Sequence, residues 1–206
     1  MSGLSNQVRG GWLGAWDRLV GPGATAGENL GTLGVGLLAA IAAGIDIWLR
    51  RDVTVLQLSL VAILAFDLAG GVWANATPAA RRWYHRPGQG FLQHFGFIAV
   101  HIQPFLLPWL FPDFVSGWEW ATLLYVGVVL GTVVLYLMPS RLRTAGALTY
   151  STFLLALTNQ FWVSPLAWFA AAFILKLLVA HLLPEIPGKE KPAAVSGAGL
   201  SVGDDV

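Results

Sequence analysis

The chain has 206 residues, of which 56% are hydrophobic and 11% are charged, and it contains no cysteine. Soluble domains usually carry about 25% charged residues, so this composition excludes an ordinary cytosolic globule, a disordered chain and a disulfide scaffold. The formal net charge of +1 gives no large field that would attract nucleic acid, and we expect no nucleic-acid partner. The composition predicts an all-α, polytopic integral membrane protein.

Residues 1–24 are predicted to form an N-terminal interfacial segment. Bulky apolar residues recur there at helical spacing: Trp12, Leu13, Trp16, Leu19 and Val20. Asp17 and Arg18 lie between them, so we predict a short amphipathic helix in the plane of the membrane interface. The segment lacks the apolar core of a signal peptide, and we expect no cleavable leader.

Six stretches have the roughly 20 mostly apolar residues that a spanning helix needs. They cover roughly residues 28–49, 54–76, 89–111, 118–138, 142–161 and 163–184. We assign residues 25–187 to a single transmembrane helical domain, and the small and polar residues 188–206 to a disordered cytoplasmic tail. Thr25 and Glu28 have the spacing of a capping box at the start of the first span.

The basic residues predict the orientation of the chain in the membrane. With six spans, Arg50 and Arg51 fall on one side and nine other basic residues on the opposite side. These nine are Arg9, Arg18, Arg81, Arg82, Arg86, Arg141, Arg143, Lys189 and Lys191. Since basic loops stay in the cytoplasm, we expect a multi-pass protein of the cell inner membrane with both termini cytoplasmic.

Tryptophans cluster near the ends of the predicted spans. They are Trp48, Trp73, Trp83, Trp109, Trp118, Trp120 and Trp162. Such positions are typical of the aromatic belt at the membrane–water interface, so we assign these residues no chemistry.

Five ionisable residues fall inside the spans, where they are costly and usually face the bundle interior. They are Asp67, His94, His101, Lys176 and His181. At about 1.5 Å per residue, Asp67 and Lys176 lie roughly 12 Å from the cytoplasmic surface, and the depths of His94 and His101, near 7 and 18 Å, bracket them. We therefore predict a polar pocket in the cytoplasmic half between the second, third and sixth spans, with Asp67, His94, His101 and Lys176 as its catalytic residues.

Each of these groups also has a structural interpretation. Asp67 and Lys176 are either a buried ion pair or a reactive carboxylate and amine. His94 and His101 share one face of a continuous third span, where they serve in packing, proton relay or ligation. They lie about 10 Å apart along the axis, so a single metal ion would need one of them together with Asp67 or His181. We assign no metal ligand, and the cofactor is left open.

Two features favour space beside this pocket. Gly70 and Gly71 next to Asp67 predict a close helix approach or room for a ligand. Pro104 and Pro108 predict a kink in the third span just beyond His101, which would free backbone carbonyls.

Residues near the cytoplasmic mouth of the pocket are assigned to substrate binding: Asn75, Arg81, Arg82, His85, Arg86 and His181. The basic run from Arg81 to Arg86 is either an anchor for anionic lipid or a clamp for an anionic head group. His181 and Glu185, four residues apart, can also form a surface hydrogen bond. The expected partners are the lipid bilayer and a lipophilic or anionic small molecule, and the oligomeric state is left open.

Three functions are compatible with this pattern. The first is a membrane-embedded acid–base enzyme, metal-assisted or not, that acts on a lipophilic or amphipathic molecule. The second is a small proton-coupled transporter, which would need a polar route to the outer face. The third is an accessory or assembly subunit, in which a dry ion pair would lie against no cavity.

Overall fold

The computed structural model describes residues 7–112, 117–161 and 166–184. Of these residues 81% are helical and none forms a strand, which confirms the all-α prediction. The α-helices are α1 (Gly11–Val20), α2 (Ala26–Arg50), α3 (Val55–Ala76), α4 (Pro78–Tyr84), α5 (Phe91–Ala99), α6 (Leu106–Leu110), α7 (Gly117–Leu137), α8 (Ser140–Thr158) and α9 (Trp168–Ile174). Short 3₁₀ turns cover Gln103–Phe105 and Asn159–Phe161, and α9 continues as a π-helix, Leu175–His181.

Within the described ranges, three helices are long and apolar enough to cross a membrane, namely α2, α3 and α7. The other three predicted spans contain helix that is shorter, interrupted or less apolar. The third is divided between α5, a 3₁₀ turn and α6, and the last consists of α9 and its π-helical continuation. The junction predicted near residues 162–165, together with Trp162, lies outside the described residues, as does the predicted tail.

The third predicted span does not form one continuous helix. α5 ends at Ala99, and irregular backbone follows as far as Ile102. Pro104 has no N–H to donate to the carbonyl of Val100, and a residue before proline disfavours helical backbone. The break therefore falls at His101 rather than beyond it, and the predicted shared face of His94 and His101 on one helix is wrong.

The basic segment between α3 and α5 forms the helix α4, which its run of charges did not predict. The Thr77 hydroxyl accepts a hydrogen bond from Ala80 N at 3.3 Å, and Pro78 occupies the first helical turn. Both features are typical helix starts. As a result Tyr84 and His85 are held against the bundle instead of lying in a surface loop.

The α1 helix lies within the predicted N-terminal segment. Trp12 is 93% exposed, whereas Asp17 is buried because Arg9 binds it through both its backbone N and its guanidinium, with Nη2 2.6 Å from Oδ1. Arg9 lowers the pKa of Asp17 below its ordinary value through these hydrogen bonds. Trp16 Nε1 donates to Asn29 Oδ1 at 2.7 Å and ties α1 to α2.

Hydrogen bonds define two ends of the bundle. At one end the Thr25–Glu28 capping box is present as predicted, and Glu28 also accepts from Ala79 N at 3.0 Å, joining the start of α2 to α4. At the other end Gln57 Nε2 donates to the carbonyl of Leu110 at 2.7 Å. The end of α6 therefore lies beside the start of α3.

Most of the described tryptophans named above lie at the surface of the bundle, as an aromatic belt requires. Trp48, Trp73, Trp109 and Trp118 are exposed, and Trp83 is partly buried beneath Arg86. Trp120 is fully buried, with its ring 6.1 Å from that of Phe169. Its assignment to the belt is wrong because this face of α7 packs against α9.

Candidate functional site

An ion pair joins α3 to the π-helix. Lys176 Nζ lies 2.7 Å from Asp67 Oδ2, which brings together two residues 109 positions apart. The Lys176 side chain is only 6% exposed, whereas that of Asp67 is 46% exposed. The amine is therefore the buried partner, and the carboxylate is the partner that other molecules can reach.

Gly71 makes room for the lysine. A Cβ atom at Gly71 would lie 2.5 Å from Lys176 Cε and 2.9 Å from its Cδ. Gly70 has a different task, since a Cβ there would lie 3.0 Å from the carbonyl oxygen of Thr32 in α2. The adjacent glycines thus permit a close α2–α3 approach on one side and the passage of the lysine on the other.

The π-helix brings Lys176 and His181 towards the same side. In an α-helix, residues five apart point about 140° apart. The i→i+5 hydrogen bonds of a π-helix instead place such residues nearly above one another. This winding lets Lys176 reach α3 while His181 contacts α4 and α5.

All four histidines of the chain lie in one aromatic cluster. His94 Nδ1 is 3.2 Å from His181 Nε2, so one ring donates and the other accepts. His85 Nε2 donates to the carbonyl of His181 at 3.1 Å, and its ring lies 4.6 Å from the ring of His94. His94 and His181 are both buried, and the Nδ1 atom of His181 has no hydrogen-bond partner among the described residues.

Two further rings connect the cluster. Phe97 stacks on His181 at 3.9 Å, and its ring lies 4.7 Å from that of His101. Tyr84 meets the ring of His181 edge-on at 4.8 Å. The His101 Nδ1 atom is 2.6 Å from the carbonyl oxygen of Phe97. Because a carbonyl only accepts, Nδ1 carries the proton and Nε2 of the neutral ring holds the free lone pair.

A cavity of about 290 Å³ lies beside the ion pair. Its polar lining consists of Thr32, Asp67, Asn75, Tyr84, His101 and Lys176. Its apolar lining consists of Trp16, Leu19, Val20, Ile63, Phe66, Gly70, Gly71, Ala74 and Phe97. Two of these apolar residues, Leu19 and Ile63, are exposed on the outer surface, so the cavity reaches the face that would contact lipid.

Burial determines the protonation of the two cluster residues at the edge of the bundle. It lowers the pKa of His85 below its ordinary value of 6.5. The charges of Arg81 and Arg143 also lower this pKa, whereas the hydrogen bond to the carbonyl of His181 raises it. Burial raises the pKa of Tyr84 to about 12. The Tyr84 phenol therefore keeps its proton, which it donates to the carbonyl of Arg18 at 2.9 Å.

The residues assigned to the site from sequence fall into three groups. Asp67, Lys176, His101 and Asn75 line the cavity. His85, His94 and His181 lie in the adjoining ring cluster. Because His181 is buried, the predicted surface hydrogen bond of this residue is wrong. Glu185 lies outside the described residues.

The three arginines of the assigned site are absent from the described lining of the cavity. The guanidinium of Arg86 lies 3.5 Å from the centre of the Trp83 ring and donates to the Trp83 carbonyl. Arg82 acts electrostatically on Glu28, and Arg81 acts on His85. An arginine clamp stays a prediction, since none of the three side chains belongs to the described lining of the cavity.

The described residues contain no group of three histidine or acidic side chains that could hold a metal ion. The paired His94 and His181 rings are hydrogen-bonded to each other, and the carboxylate of Asp67 is bound to Lys176.

Phe97 and Tyr84 were not assigned to the site from sequence. A signal for Phe97 was present, because it lies three residues after His94 and four before His101, the spacing of one helix face. Tyr84 gave a weaker signal, since its neighbours in the basic run suggested a surface segment.

The chain matches no protein-family model, no curated protein and no solved structure in the comparisons made. Function is therefore inferred from the geometry of the site. An accessible carboxylate, an imidazole lone pair and an amide around one cavity can bind a polar head group and move a proton.

Proposed function

We propose that this protein is a membrane-embedded enzyme that performs acid–base chemistry on an amphipathic small molecule. The observation that carries the proposal is the cavity beside the Asp67–Lys176 pair, which His101 also lines. Ionisable residues at membrane depth default to a functional role when they face such a space. Perturbed polar groups that converge on an apolar pocket are the usual signature of an active site.

The membrane topology is part of the proposal. The chain crosses the bilayer six times with both termini in the cytoplasm. The third crossing uses an interrupted helix, and the sixth uses one that changes from α- to π-helix. The nine-to-two split of basic residues supports this arrangement. α1 lies in the cytoplasmic interface, supported by the exposure of Trp12, Leu13 and Leu19. The cavity then lies in the cytoplasmic half of the membrane.

Substrate enters the cavity sideways from the bilayer. Ile63 is 61% exposed and lies one helical turn before Asp67 on α3. A lipophilic chain can therefore follow the apolar surface at Ile63 and Leu19 while its polar end reaches the carboxylate. Phe66 and Trp16 provide apolar walls for the part of the molecule next to the head group.

Each polar group has a distinct role. Nε2 of His101 serves as the general base, since its Nδ1–H is held by the Phe97 carbonyl. Asp67 accepts a hydrogen bond from the substrate and orients it. Lys176 compensates the charge of Asp67 and holds the carboxylate in position, which makes it a positioning residue.

The two other functions have less support. The buried residues of α3 on the far side of Asp67 from α4 are apolar, namely Val61, Leu64 and Ala65, and offer no polar route for a transported species. An accessory subunit needs the ion pair only as a structural link. That role does not require the carboxylate to be 46% exposed beside a cavity.

Turnover of native lipids tests the proposal. The full chain is reconstituted in nanodiscs containing a bacterial polar lipid extract, and the lipids are profiled by mass spectrometry over time. We expect the wild type to convert at least one species, and Asp67→Asn and His101→Gln to slow that conversion by about 100-fold or more, the usual effect of losing an acid–base group.

Asp46→Asn is the matched control. Asp46 is a carboxylate at the opposite end of the bundle, paired with Arg50 on an exposed surface, and its replacement should leave conversion unchanged. Equal conversion by the wild type, Asp67→Asn and His101→Gln would contradict the proposed roles. An unchanged lipid profile with the wild type would contradict action on lipids of that extract.

A further inference from the structure

The electric charges along the cavity compensate each other. Asp67 and Lys176 are the charged side chains in its described lining, and they are bound to each other at 2.7 Å. The three arginines of the neighbouring basic segment contribute no side chain to that lining. A charged head group would therefore meet a neutral pair and would lose its hydration without gaining a counter-ion.

Several polar hydrogens of the lining are already in use. Tyr84 donates its hydroxyl to the carbonyl of Arg18 at 2.9 Å. Thr32 donates to the carbonyl of Glu28 at 2.8 Å. The Nδ1–H of His101 is directed at the Phe97 carbonyl. These donors hold helices together and are not available to a ligand.

Asn75 is the exception. The residue is only 4% exposed and lines the cavity, yet its Nδ2 atom has no hydrogen-bond partner among the described residues. A buried amide donor without a partner is rare and costly. Nδ2 has almost no accessible surface of its own, so it meets a ligand in the cavity after the amide turns about the Cβ–Cγ bond. The acceptors without a bound donor in the described lining include Oδ1 of Asp67 and Nε2 of His101.

We infer that the cavity recognises the uncharged hydroxyl head of an amphipathic alcohol, with Asn75 donating to the hydroxyl oxygen. A hydroxyl accepts one hydrogen bond and donates another, which complements an amide donor beside carboxylate and imidazole acceptors. The alkyl chain extends past Ile63 into the bilayer. This inference rests on the proposed function for the cavity and adds the substrate class and the recognition residue.

Photo-labelling tests the head-group preference without any need for turnover. Three twelve-carbon probes carry the same mid-chain diazirine and end in a hydroxyl, a phosphate or a trimethylammonium group. Each is added to the full chain in phosphatidylcholine nanodiscs, and the labelled peptides are identified by mass spectrometry. We expect the alcohol to label α1 and the Ile63–Phe66 segment about tenfold more than either charged probe, the effect of roughly 1.4 kcal/mol.

Variants at Asn75 test the recognition residue. Asn75→Ala should reduce labelling by the alcohol about tenfold, and Asn75→Ser, which keeps a donor, should retain part of it. The control Asn159→Ala makes the same change at an exposed residue of the 3₁₀ turn and should have no effect. Thermal unfolding of each variant in the same nanodiscs shows that the fold is retained, and Asn75→Ser supplies the test if Asn75→Ala unfolds.

The outcomes separate this inference from the proposed function. Stronger cavity labelling by the phosphate or ammonium probe, or full labelling of folded Asn75→Ala and Asn75→Ser, would overturn the inference and leave acid–base turnover intact. Selective alcohol labelling that depends on Asn75, combined with no conversion of any lipid, would support the inference and contradict the enzyme.

Discussion

Lys176 and Asp67 form an ion pair whose members differ sharply in exposure. The amine is 6% exposed and the carboxylate 46% exposed, with 2.7 Å between Nζ and Oδ2. Removal of the accessible partner strands a charge in the interior, whereas removal of the buried partner leaves a carboxylate that water can reach. The pair should therefore respond asymmetrically to mutation.

Asp67→Asn is expected to lower the free energy of unfolding by about 3–5 kcal/mol, the cost of an unpaired buried charge. Lys176→Met should cost less, about 1–2 kcal/mol, because the exposed carboxylate lies on an open cavity that water can enter, whereas the amine is enclosed. The double variant should be more stable than Asp67→Asn alone. Unfolding in mixed micelles by a denaturing detergent measures these differences, and equal losses for the two single variants would contradict the asymmetry.

Gly71→Ala should disturb the ion pair without changing any charge. The new Cβ would lie 2.5 Å from Lys176 Cε, so the lysine must leave its position beside Asp67, at an expected cost of about 1–3 kcal/mol. Gly34→Ala is the matched control, since a Cβ at this glycine of α2 meets nothing within 4 Å. The control should be neutral or stabilising by up to about 1 kcal/mol, and a similar loss in both variants would show that Gly71 has no special role.

His85 makes stability depend on pH. Burial lowers its pKa below the ordinary 6.5, so the unfolded chain binds the proton more readily than the folded chain. The stability that neutral His85 contributes is fully present above pH 6.5 and decreases as the pH falls towards the lower, folded-state pKa. His85→Gln should flatten the decrease in melting temperature between pH 6.5 and about 5. An unchanged pH profile in this variant would show that His85 does not contribute to the pH dependence of stability.

Tyr84→Phe should loosen α1 while the rest of the bundle stays intact. The variant keeps the ring that packs on His181 and removes the hydroxyl that binds the Arg18 carbonyl. We expect a loss of about 0.5–1.5 kcal/mol and faster hydrogen exchange confined to Gly11–Val20. Because burial raises the pKa of Tyr84 to about 12, the wild-type protection should not depend on pH across the neutral range. Equal exchange in variant and wild type would contradict this contact.

The common level of Asp67 and Lys176 was predictable from sequence because residue count along a helix gives an approximate distance. Asp67 and Lys176, placed at one level from opposite parts of the chain, meet in an ion pair. The capping box of Thr25 and Glu28 was predictable because it is a local contact between residues three apart.

The directions of the side chains were less predictable. The helix break at His101 and the π-helix around Lys176 alter the angular spacing from which a shared face is inferred. The tertiary contacts of Trp120 with α9, and of Tyr84 with α1, involve partners 49 or more residues away. Local spacing carries no information about such contacts.

Filling the cavity tests the central claim that function resides there. Ala74 is buried and lines the cavity, whereas Ala69 lies on the same helix and faces the separate groove between α2 and α3. With the nanodisc lipid profile as the readout, Ala74→Leu should abolish conversion and Ala69→Leu should leave it unchanged, both variants being folded by thermal unfolding. Conversion by folded Ala74→Leu at the wild-type rate would show that the reaction takes place elsewhere.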